Sequence, residues 1–478
     1  MRSRADFLRD KFLSRLNYEP TPCQESFFRD AAIFLTSDDG DILVLDGYAG
    51  TGKTTAVSAV VHTMRALGTP CVLLAPTGRA AKVLSNYTGL RASTVHKHIY
   101  RQKSHTVDGF GEFTLNYNKS KGTLYIVDEV SLIGTDRQGG GQALFGSGNL
   151  LDDLVSFVRA GASCKMIMIG DSAQLPPVGL DSSPALSSEC MDSFGGVSYT
   201  GMTSVVRQEK ESGILHNATI LRELIRRGET DVPVSSLGFD SDSFDDVERI
   251  PGGGLIDALS DAYSRYGEDG TIVLCRSNKR AIRYNLGIRS QVQFKEERLV
   301  RGEKLMIVKN CYQFLEEVEG LDYIANGDIA TLEKISHYEQ RYGLHFAEAR
   351  LSFPDYDDVE ITAKVLLDTL DSESASLTAE QSNMLYAGVS EDYADIKSKK
   401  KRYDAVREDP YFNALQLKYA EAVTCHKSQG GQWPCVFIDY PFWTDTLALD
   451  DLKWLYTALT RAVEKVYLVN FKDELFTR

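Results

Sequence analysis

The sequence lacks three features, and each absence excludes a class of protein. No uninterrupted apolar run approaches the roughly 18 residues that a helix needs to cross a bilayer, which argues against a membrane-spanning protein. The eight cysteines form no Cys-x-x-Cys pair and show no metal-ligand spacing, so we expect buried thiols in a reducing compartment. Positive charge is also scarce, because 53 Lys and Arg residues against 67 Asp and Glu residues give a net charge of −14. Such a chain does not coat nucleic acid through bulk charge, although a local basic groove is compatible with it.

The N-terminal segment lacks the apolar centre of a secretory signal. Residues 1–17 mix arginines with Asp6 and Asp10, and their apolar residues recur at helical spacing, which predicts an amphipathic surface helix. We therefore expect a cytoplasmic location. The remaining composition, 43% hydrophobic and 25% charged, is typical of a soluble globular protein, and 478 residues leave room for two to four domains.

A phosphate-binding loop is the most informative feature that is present. Residues 47–55 follow the apolar run 42–45 and precede a helix-compatible stretch. In this strand–loop–helix context, backbone N–H groups and the helix N-terminus bind phosphate oxygens, so a chance glycine-rich turn is a poor explanation. Lys53 is expected to reach the β- and γ-phosphates, and the Thr54 hydroxyl to coordinate Mg²⁺. The residues predicted to bind and hydrolyse a nucleoside triphosphate here are Gly47, Ala49, Gly50, Thr51, Gly52, Lys53, Thr54 and Thr55.

Two further polar segments follow apolar runs. Asp128 and Glu129 come directly after the run 124–127, at the end of a predicted strand, where an open parallel sheet binds its ligand. Asp128 is predicted to hold Mg²⁺ through its water shell, and Glu129 to polarise the water that attacks the γ-phosphate. Gln174, in Gly-Asp-x-x-Gln after another apolar run, is predicted to lie near the γ-phosphate. A proline-stopped turn is the alternative for this last segment.

Apolar runs alternate with helical stretches in two blocks, which predicts two α/β units with parallel sheets. An acidic, Ser/Gly-rich stretch over residues 230–254 is interpreted as a surface connection between them. Residues 336–415 break the α/β rhythm and are predicted to be an insertion in the second unit. Residues 101–122 are predicted to form a β-hairpin inserted in the first unit, because Asp108-Gly109 is a turn signal beside an alternating segment.

Taken in order, these motifs resemble those of the superfamily 1 helicases. The glycine loop, the Asp-Glu pair and the Gly-Asp-x-x-Gln-Leu-Pro-Pro segment are followed by His-Lys-Ser-Gln-Gly at 426–430 and Tyr-Thr-Ala-Leu-Thr-Arg at 456–461. The forms of these motifs are most similar to the RecD and Dda branch. The resemblance covers roughly residues 20–180, 200–335 and 416–470.

The resemblance implies an α/β fold with two RecA-like, parallel-sheet P-loop NTPase domains. The first domain is expected over residues 1–196, with the hairpin 101–122 as its insertion. The second is expected over residues 197–335 and 416–478, with a small SH3-like β insertion over residues 336–415. ATP is then expected in the cleft between the two domains, with single-stranded DNA across the top of both.

The resemblance also assigns nucleotide contacts outside the loop. Gln24 matches the glutamine that reads adenine, and Arg207 and Arg461 match the arginines that reach the γ-phosphate from across the cleft. An ordinary surface position is the alternative for each. Gly431 joins the nucleotide-binding set through the fifth motif, in which Gln432 stands where many relatives carry a glutamate that bonds the ribose. The implied cofactors are ATP and Mg²⁺, with Thr54 and Asp128 at the metal; the implied catalytic residues are Lys53, Glu129, Gln174, Arg207 and Arg461.

Single-stranded DNA contacts are predicted on the strand-to-helix loops of both units. Hydroxyls and short loops bind the backbone without reading sequence, and flat rings stack on any base. The hairpin is predicted to act as a wedge, with Phe110 or Phe113 against the last base pair. The basic run 397–402 is by default a solvated helix face, with strand contact as the alternative. The predicted DNA-binding residues are Pro76, Thr77, Arg79, Thr94, His96, Phe110, Phe113, His426 and Ser428.

The function implied is ATP-dependent translocation on single-stranded DNA, 5′ to 3′, with unwinding of duplex DNA. A double-strand translocase or remodeller and an RNA helicase would use the same motor, and both remain alternatives. The expected partners are single-stranded DNA and duplex/single-strand junctions, with no membrane, together with a replication or repair protein. A monomer is expected because the sequence carries no interface signal.

Overall fold

The computed structural model describes residues 3–102, 113–135, 146–204, 212–311, 313–315 and 324–477. The first unit is built on a six-stranded sheet in which every strand pair is parallel. Its elements are α1 (Arg4–Leu13), α2 (Pro22–Thr36), β1 (Ile42–Gly47), α3 (Lys53–Ala66), β2 (Cys71–Ala75), α4 (Gly78–Thr88), β3 (Ala92–Thr94), α5 (Val95–Ile99), β4 (Tyr100–Gln102), β5 (Phe113–Leu115), β6 (Leu124–Val127), α6 (Leu150–Ala160), β7 (Lys165–Gly170), α7 (Ser188–Met191) and β8 (Val197–Met202).

The strand order is β3-β2-β6-β7-β1-β8. The apolar runs 42–45 and 124–127 are confirmed as β1 and β6, and they lie at the centre of the sheet with β2 and β7. Their apolar runs are nearly continuous because helices cover both faces of a parallel sheet. The amphipathic N-terminal helix is also confirmed: Leu8 and Phe12 of α1 are buried in the same core as Phe27 and Phe28 of α2.

The base of the predicted hairpin is present, since β4 and β5 pair antiparallel with Tyr100 opposite Leu115. Phe113 is only 7% exposed and packs with Tyr100 in the core of the first unit. This position contradicts the wedge role predicted for Phe113, because the alternation of the segment turns its ring inward. Phe110 lies outside the described residues.

The second unit begins with α8 (Gly213–Arg226), β9 (Val232–Pro233), β10 (Val247–Ile250), α9 (Leu255–Tyr266), β11 (Thr271–Cys275) and α10 (Asn278–Gln291). The stretch 230–254, interpreted from its composition as a surface connection, contributes more than that. Strand β10 forms the edge of the second sheet, and Phe239 is fully buried. The composition of the stretch 230–254 did not predict these buried residues, because polar residues outnumber the apolar ones there.

A closed barrel follows, formed by β12 (Lys304–Ile307), β13 (Ile329–Arg341), β14 (Leu344–Phe353), β15 (Val359–Leu366) and β16 (Leu415–Tyr419), with α11 (Ala379–Asp392) and α12 (Lys399–Glu408) between its last two strands. The barrel extends beyond the predicted insertion 336–415. Strands β12 and β16 pair with each other, Leu305 opposite Tyr419, and this pairing closes the barrel. Closure requires both edge strands, so residues on each side of the insertion take part.

The chain then returns to the second unit through β17 (Ala422–Thr424), α13 (Cys425–Ser428), β18 (Trp433–Asp439), β19 (Thr446–Leu447), α14 (Leu449–Leu459) and β20 (Ala462–Val469). The second sheet has the order β10-β20-β18-β11-β17, again entirely parallel. The two parallel sheets confirm the predicted two-unit α/β fold. None of the helices in the described part of the chain combines the length and apolarity needed to cross a bilayer.

Candidate nucleotide and nucleic-acid site

The phosphate-binding loop lies between β1 and α3, as predicted. Gly50 and Gly52 have φ angles of 74° and 75°, which side chains rarely permit. Gly47 lies under the stem of Lys53, because a Cβ at Gly47 would stand 2.6 Å from the Lys53 Cδ. The Lys53 ammonium donates to the carbonyl oxygens of Gly47 and of Tyr48, the latter at 2.9 Å. The Lys53 side chain is therefore folded back over the phosphate-binding loop.

The remaining loop residues have separate environments. Thr51 is fully buried, and its hydroxyl donates to the Tyr48 carbonyl at 2.8 Å. The exposed Thr54 and Thr55 lie in the first turn of α3, where free N–H groups and the positive end of the helix favour anions. The loop thus leaves Thr54 and Thr55 open to a phosphate and buries Thr51, whose hydrogen bond shapes the turn.

Three desolvated carboxylates lie near Lys53, two after β6 and one after β7. Burial raises the pKa of Asp128 above its ordinary value. Burial likewise raises the pKa of Glu129, opposed mainly by Arg461, and the pKa of Asp171, opposed mainly by Lys53. Since desolvation disfavours the charged form of each carboxylate, the site as a whole favours an added cation.

The turn after β6 fixes the first two of these carboxylates. Glu129 has a left-handed backbone with φ 53°, which costs on the order of 1 kcal/mol for a residue other than glycine. Its N–H donates to Asp128 Oδ1 at 2.9 Å, and the Tyr87 hydroxyl donates to Asp128 Oδ2 at 2.5 Å. Both oxygens of Asp128 are thereby oriented.

Gln174 is 6% exposed, in the loop after β7. Its backbone N–H donates to the Asp171 carbonyl at 3.2 Å. Its buried side-chain Oε1 accepts no hydrogen bond from the described residues. A buried amide oxygen of this kind is suited to a water or a nucleotide group, so the position near the γ-phosphate remains a prediction with a physical basis.

The second unit reaches the phosphate loop through Tyr456 of α14. The Tyr456 hydroxyl donates to Asp171 Oδ2 at 2.7 Å and accepts the N–H of Ala49 at 2.9 Å. One buried phenol therefore joins the loop, the carboxylate after β7 and the second unit.

A second bridge holds the backbone of Leu175. Its N–H donates to Thr457 Oγ1 at 2.8 Å, and its carbonyl accepts from Gln429 Nε2 at 2.7 Å. Thr457 and Gln429 belong to two motifs of the second unit. The loop that carries Gln174 is thus held from both sides by the opposite unit.

Arg461 follows α14 and is 3% exposed. Its guanidinium donates to the carbonyl oxygens of Thr457 and Gly431, each at 3.1 Å. It also acts electrostatically on Glu129, whose pKa it lowers against burial. The predicted arginine is therefore near the predicted general base, and Arg207 lies outside the described residues.

Gln24 is fully buried in the first turn of α2. Its Oε1 accepts the N–H of Thr21 at 3.0 Å, and its Nε2 donates to the hydroxyl of Tyr18 at 3.1 Å and the carbonyl of Thr51 at 3.3 Å. The amide is occupied by capping the helix and supporting the phosphate loop, so adenine reading stays a prediction.

Three of the predicted strand contacts of the first unit, Pro76, Thr77 and Arg79, lie at the start of α4. Thr77 follows Pro76 and caps the helix, its hydroxyl accepting the N–H of Ala80 at 3.2 Å. The Arg79 guanidinium lies 4.6 Å from the centre of the Trp433 ring of the second unit. It also pairs with Asp355 of the barrel at 3.7 Å.

Gly431 lies beside Arg79 and Trp433, because a Cβ there would stand 2.8 Å from the Arg79 Cδ. Through its contact with Arg461, Gly431 connects this region to the cleft. The structure thus brings the loops of both units that are predicted to bind the strand together around Arg79.

The other predicted strand contacts differ in exposure. Thr94 is 5% exposed and caps α5 by accepting the N–H of Lys97 at 3.3 Å. Burial lowers the pKa of His96 to about 4, so this imidazole is neutral near pH 7. In α13, His426 is exposed, whereas Ser428 is fully buried and donates to the Cys425 carbonyl at 2.7 Å. Only His426 in this group offers its side chain openly.

Sequence reasoning missed several residues of the cleft. Arg222 of α8 is 7% exposed, its guanidinium lies 4.9 Å from the centre of the Tyr48 ring, and its Nε has no hydrogen-bond partner among the described residues. The partners of Tyr456 and Tyr87 were missed as well. No local pattern marks these side chains, since their partners lie far away in the sequence.

Comparison with known proteins supports the same assignment. An AAA domain model matches residues 29–232, and a UvrD-like helicase C-terminal domain model matches residues 419–469. The chain is 36% identical over 140 residues to the ATP-dependent RecD2 DNA helicase of Deinococcus radiodurans, covering 29% of this chain and 16% of that protein. It is 33% identical over 142 residues to the ATP-dependent DNA helicase dda of Enterobacteria phage T4, covering 28% of each. The chain thus matches less than a third of the length of these relatives.

Among solved structures, a Bacteroides Pif1 helicase in complex with ADP-AlF3 and single-stranded DNA is 16% identical, with a TM-score of 0.47 and coverage of 97% of this chain and 95% of that one.

The fold and the cleft define a P-loop nucleotide-binding protein with two RecA-like units. A tyrosine of the second unit contacts the phosphate loop, and an arginine of the same unit lies near Glu129. Through the two domain matches and the RecD2 and dda relatives, the chain is similar to the superfamily 1 helicases of the RecD/Dda type.

Proposed function

We propose that the protein is an ATP-driven DNA helicase that moves 5′ to 3′ along single-stranded DNA and unwinds duplex DNA. The observation that carries the proposal is the bridge across the cleft. Tyr456 of the second unit hydrogen-bonds both the phosphate loop and Asp171 of the first unit. A nucleotide in the loop would therefore act directly on the contact between the units, as a motor requires.

The cleft residues would divide the chemistry among them. Lys53 would bind the β- and γ-phosphates, Glu129 would take up the proton of the attacking water, and Arg461 would stabilise the charge that develops on the γ-phosphate. Thr54 and Asp128 would hold Mg²⁺, which supplies charge neutralisation when bound. The desolvated carboxylates fit such a cation, since the three of them outnumber the two cations that act on them, Lys53 and Arg461.

The strand would lie against the loops gathered around Arg79, where both units and the barrel meet. Opening and closing of the cleft would change the spacing of these loops and move the strand. We propose duplex/single-strand junctions as substrates, a monomeric motor in the cytoplasm, and replication or repair proteins as its partners.

The direct test is ATP-dependent opening of fluorescent duplexes that carry only a 5′ tail or only a 3′ tail. We expect opening of the 5′-tailed duplex, and none with Lys53→Ala. Opening of the 3′-tailed duplex alone would reject the polarity, and RNA-tailed duplexes in the same assay would reveal an RNA helicase. Strand-stimulated ATP hydrolysis without opening of any duplex would contradict helicase activity and favour a translocase.

A further inference from the structure

Tyr87, in the last turn of α4, contacts both elements that carry the proposed Mg²⁺ ligands. Its hydroxyl donates to Asp128 Oδ2 at 2.5 Å. Its carbonyl accepts from Ser58 Oγ at 3.4 Å, and Ser58 lies on α3, the helix that begins with Lys53 and Thr54. The tyrosine is therefore a junction between the phosphate-binding helix and the carboxylate after β6.

The opposite end of α4 faces the proposed strand path. Thr77 caps the helix, and Gly78 packs so closely on Tyr356 of the barrel that a Cβ at Gly78 would stand 2.7 Å from the ring. Gly430 of the second unit lies against Ala80, where an added Cβ would stand 2.9 Å from the Ala80 Cβ. The barrel and the second unit thus both contact the start of this helix.

An 11-residue helix transmits such contacts along its axis. Thr77 and Tyr87 are ten positions apart, which is about 15 Å at 1.5 Å per residue. Since a short packed helix moves as one body, a shift at its start changes the position of the Tyr87 hydroxyl relative to Asp128. The hydroxyl in turn sets how the Asp128 carboxylate is oriented toward a cation.

We propose that Tyr87 is a positioning residue that orients Asp128 for Mg²⁺ and connects this orientation to strand binding at the start of α4. The proposal rests on the proposed function, because it takes Asp128 as the metal-binding carboxylate and Thr77 and Arg79 as strand contacts. Groups that hydrogen-bond a metal ligand commonly affect metal affinity by about 10- to 100-fold, which gives the scale of the expected effect.

The test compares Tyr87→Phe with Tyr125→Phe, both in the full chain. Tyr125 is a matched control because its hydroxyl is also hydrogen-bonded, but to Asn118 and Ser120 and not to a carboxylate. A fluorescent ATP analogue is titrated at equilibrium over a range of Mg²⁺ concentrations, with and without a single-stranded oligonucleotide.

For Tyr87→Phe we expect the half-saturating Mg²⁺ concentration to rise about 10-fold. We expect the oligonucleotide to shift this concentration in the unaltered protein but not in Tyr87→Phe, and the absence of a shift in the unaltered protein would also overturn the proposal. Analogue binding without Mg²⁺ should be unchanged, and Tyr125→Phe should behave like the unaltered protein. An unchanged Mg²⁺ dependence would overturn the proposal, and so would loss of analogue binding without Mg²⁺, which would indicate a general structural role.

Failure of the proposed function is separate from failure of this inference. The unaltered protein could open no tailed duplex and still bind the analogue with a Mg²⁺ dependence that the oligonucleotide shifts. If Tyr87→Phe loses that shift, the inference stands and the helicase function is rejected. An active helicase with an unaffected Tyr87→Phe variant would do the reverse.

Discussion

The hydroxyl of Tyr456 donates a 2.7 Å hydrogen bond to Asp171 across the cleft between the two RecA-like units. Burial raises the pKa of Asp171, and the Tyr456 hydroxyl is one of the groups that lowers it again. The same hydroxyl accepts the N–H of Ala49 in the phosphate loop. The bond therefore connects the relative position of the units to the environment of the nucleotide.

Tyr456→Phe removes this bond and keeps the ring. We expect a loss of about 1–3 kcal/mol in the free energy of unfolding, because a buried carboxylate loses a donor and the Ala49 N–H loses its acceptor. Strand stimulation of ATP hydrolysis should also fall. Thermal unfolding and ATPase rates with and without an oligonucleotide measure the two effects.

Tyr440→Phe is the matched control for this substitution. The buried Tyr440 hydroxyl has no hydrogen-bond partner among the described residues, so its removal should cost almost nothing. Equal effects of the two substitutions would contradict a specific role for the Tyr456 bond.

Glu129→Gln should stop ATP hydrolysis while raising the melting temperature of the nucleotide-free protein. The folded pKa of Glu129 is raised by burial, so its contribution to stability is present below the unfolded value of about 4.3 and is lost as pH rises through the folded value. The neutral amide avoids this loss. The gain in Tm, roughly 2–4 °C for each kcal/mol, should be largest near pH 8 and shrink as pH is lowered.

Glu303→Gln provides the opposite case. Glu303 accepts two hydrogen bonds from the buried Arg289, at 2.6 and 3.1 Å, so removing its charge should lower the free energy of unfolding by about 3–5 kcal/mol. A lower Tm for Glu129→Gln at pH 8 would show that Glu129 is stabilised rather than strained by its surroundings.

Asp355→Asn should strengthen binding of single-stranded DNA. Asp355 pairs with Arg79 at 3.7 Å, so its carboxylate competes with a strand phosphate for the guanidinium. Freeing one cation should steepen the dependence of the logarithm of the binding constant on the logarithm of salt concentration by up to about 0.7. Fluorescence anisotropy of a labelled oligonucleotide at several salt concentrations measures both changes.

Asp358→Asn controls for net charge, because Asp358 is exposed on the same segment of the barrel. An equal gain in affinity from both substitutions would assign the effect to overall charge and not to the pair with Arg79.

Arg461→Lys should leave nucleotide affinity within about threefold while reducing turnover by two or more orders of magnitude. A lysine cannot reproduce the fork that donates to Thr457 and Gly431 and still faces Glu129. Binding of a fluorescent ATP analogue and steady-state turnover separate these effects. Near-normal turnover of the lysine variant would remove Arg461 from the catalytic residues.

Local patterns predicted well wherever neighbours in the sequence decide the structure. The loop 47–55 folds as predicted because positive φ angles at Gly50 and Gly52 and the flanking strand and helix are local properties. The predictions failed where distant packing decides. Phe113 points inward because it packs with Tyr100 in the core of the first unit. The barrel begins at Lys304 because Leu305 pairs with Tyr419, more than a hundred residues later.

The sequence by itself determined the class of the protein, since the glycine loop, the Asp128-Glu129 pair and the ordered motifs of the second unit are runs of adjacent residues with local geometry. Only the tertiary structure decided how these motifs are connected. Tyr456 reaches Asp171 across 285 positions, and Tyr87 reaches Asp128 across 41. A hydroxyl and a carboxylate this far apart in the chain meet only when the cores that carry them pack, so no pattern of neighbouring residues encodes the pair.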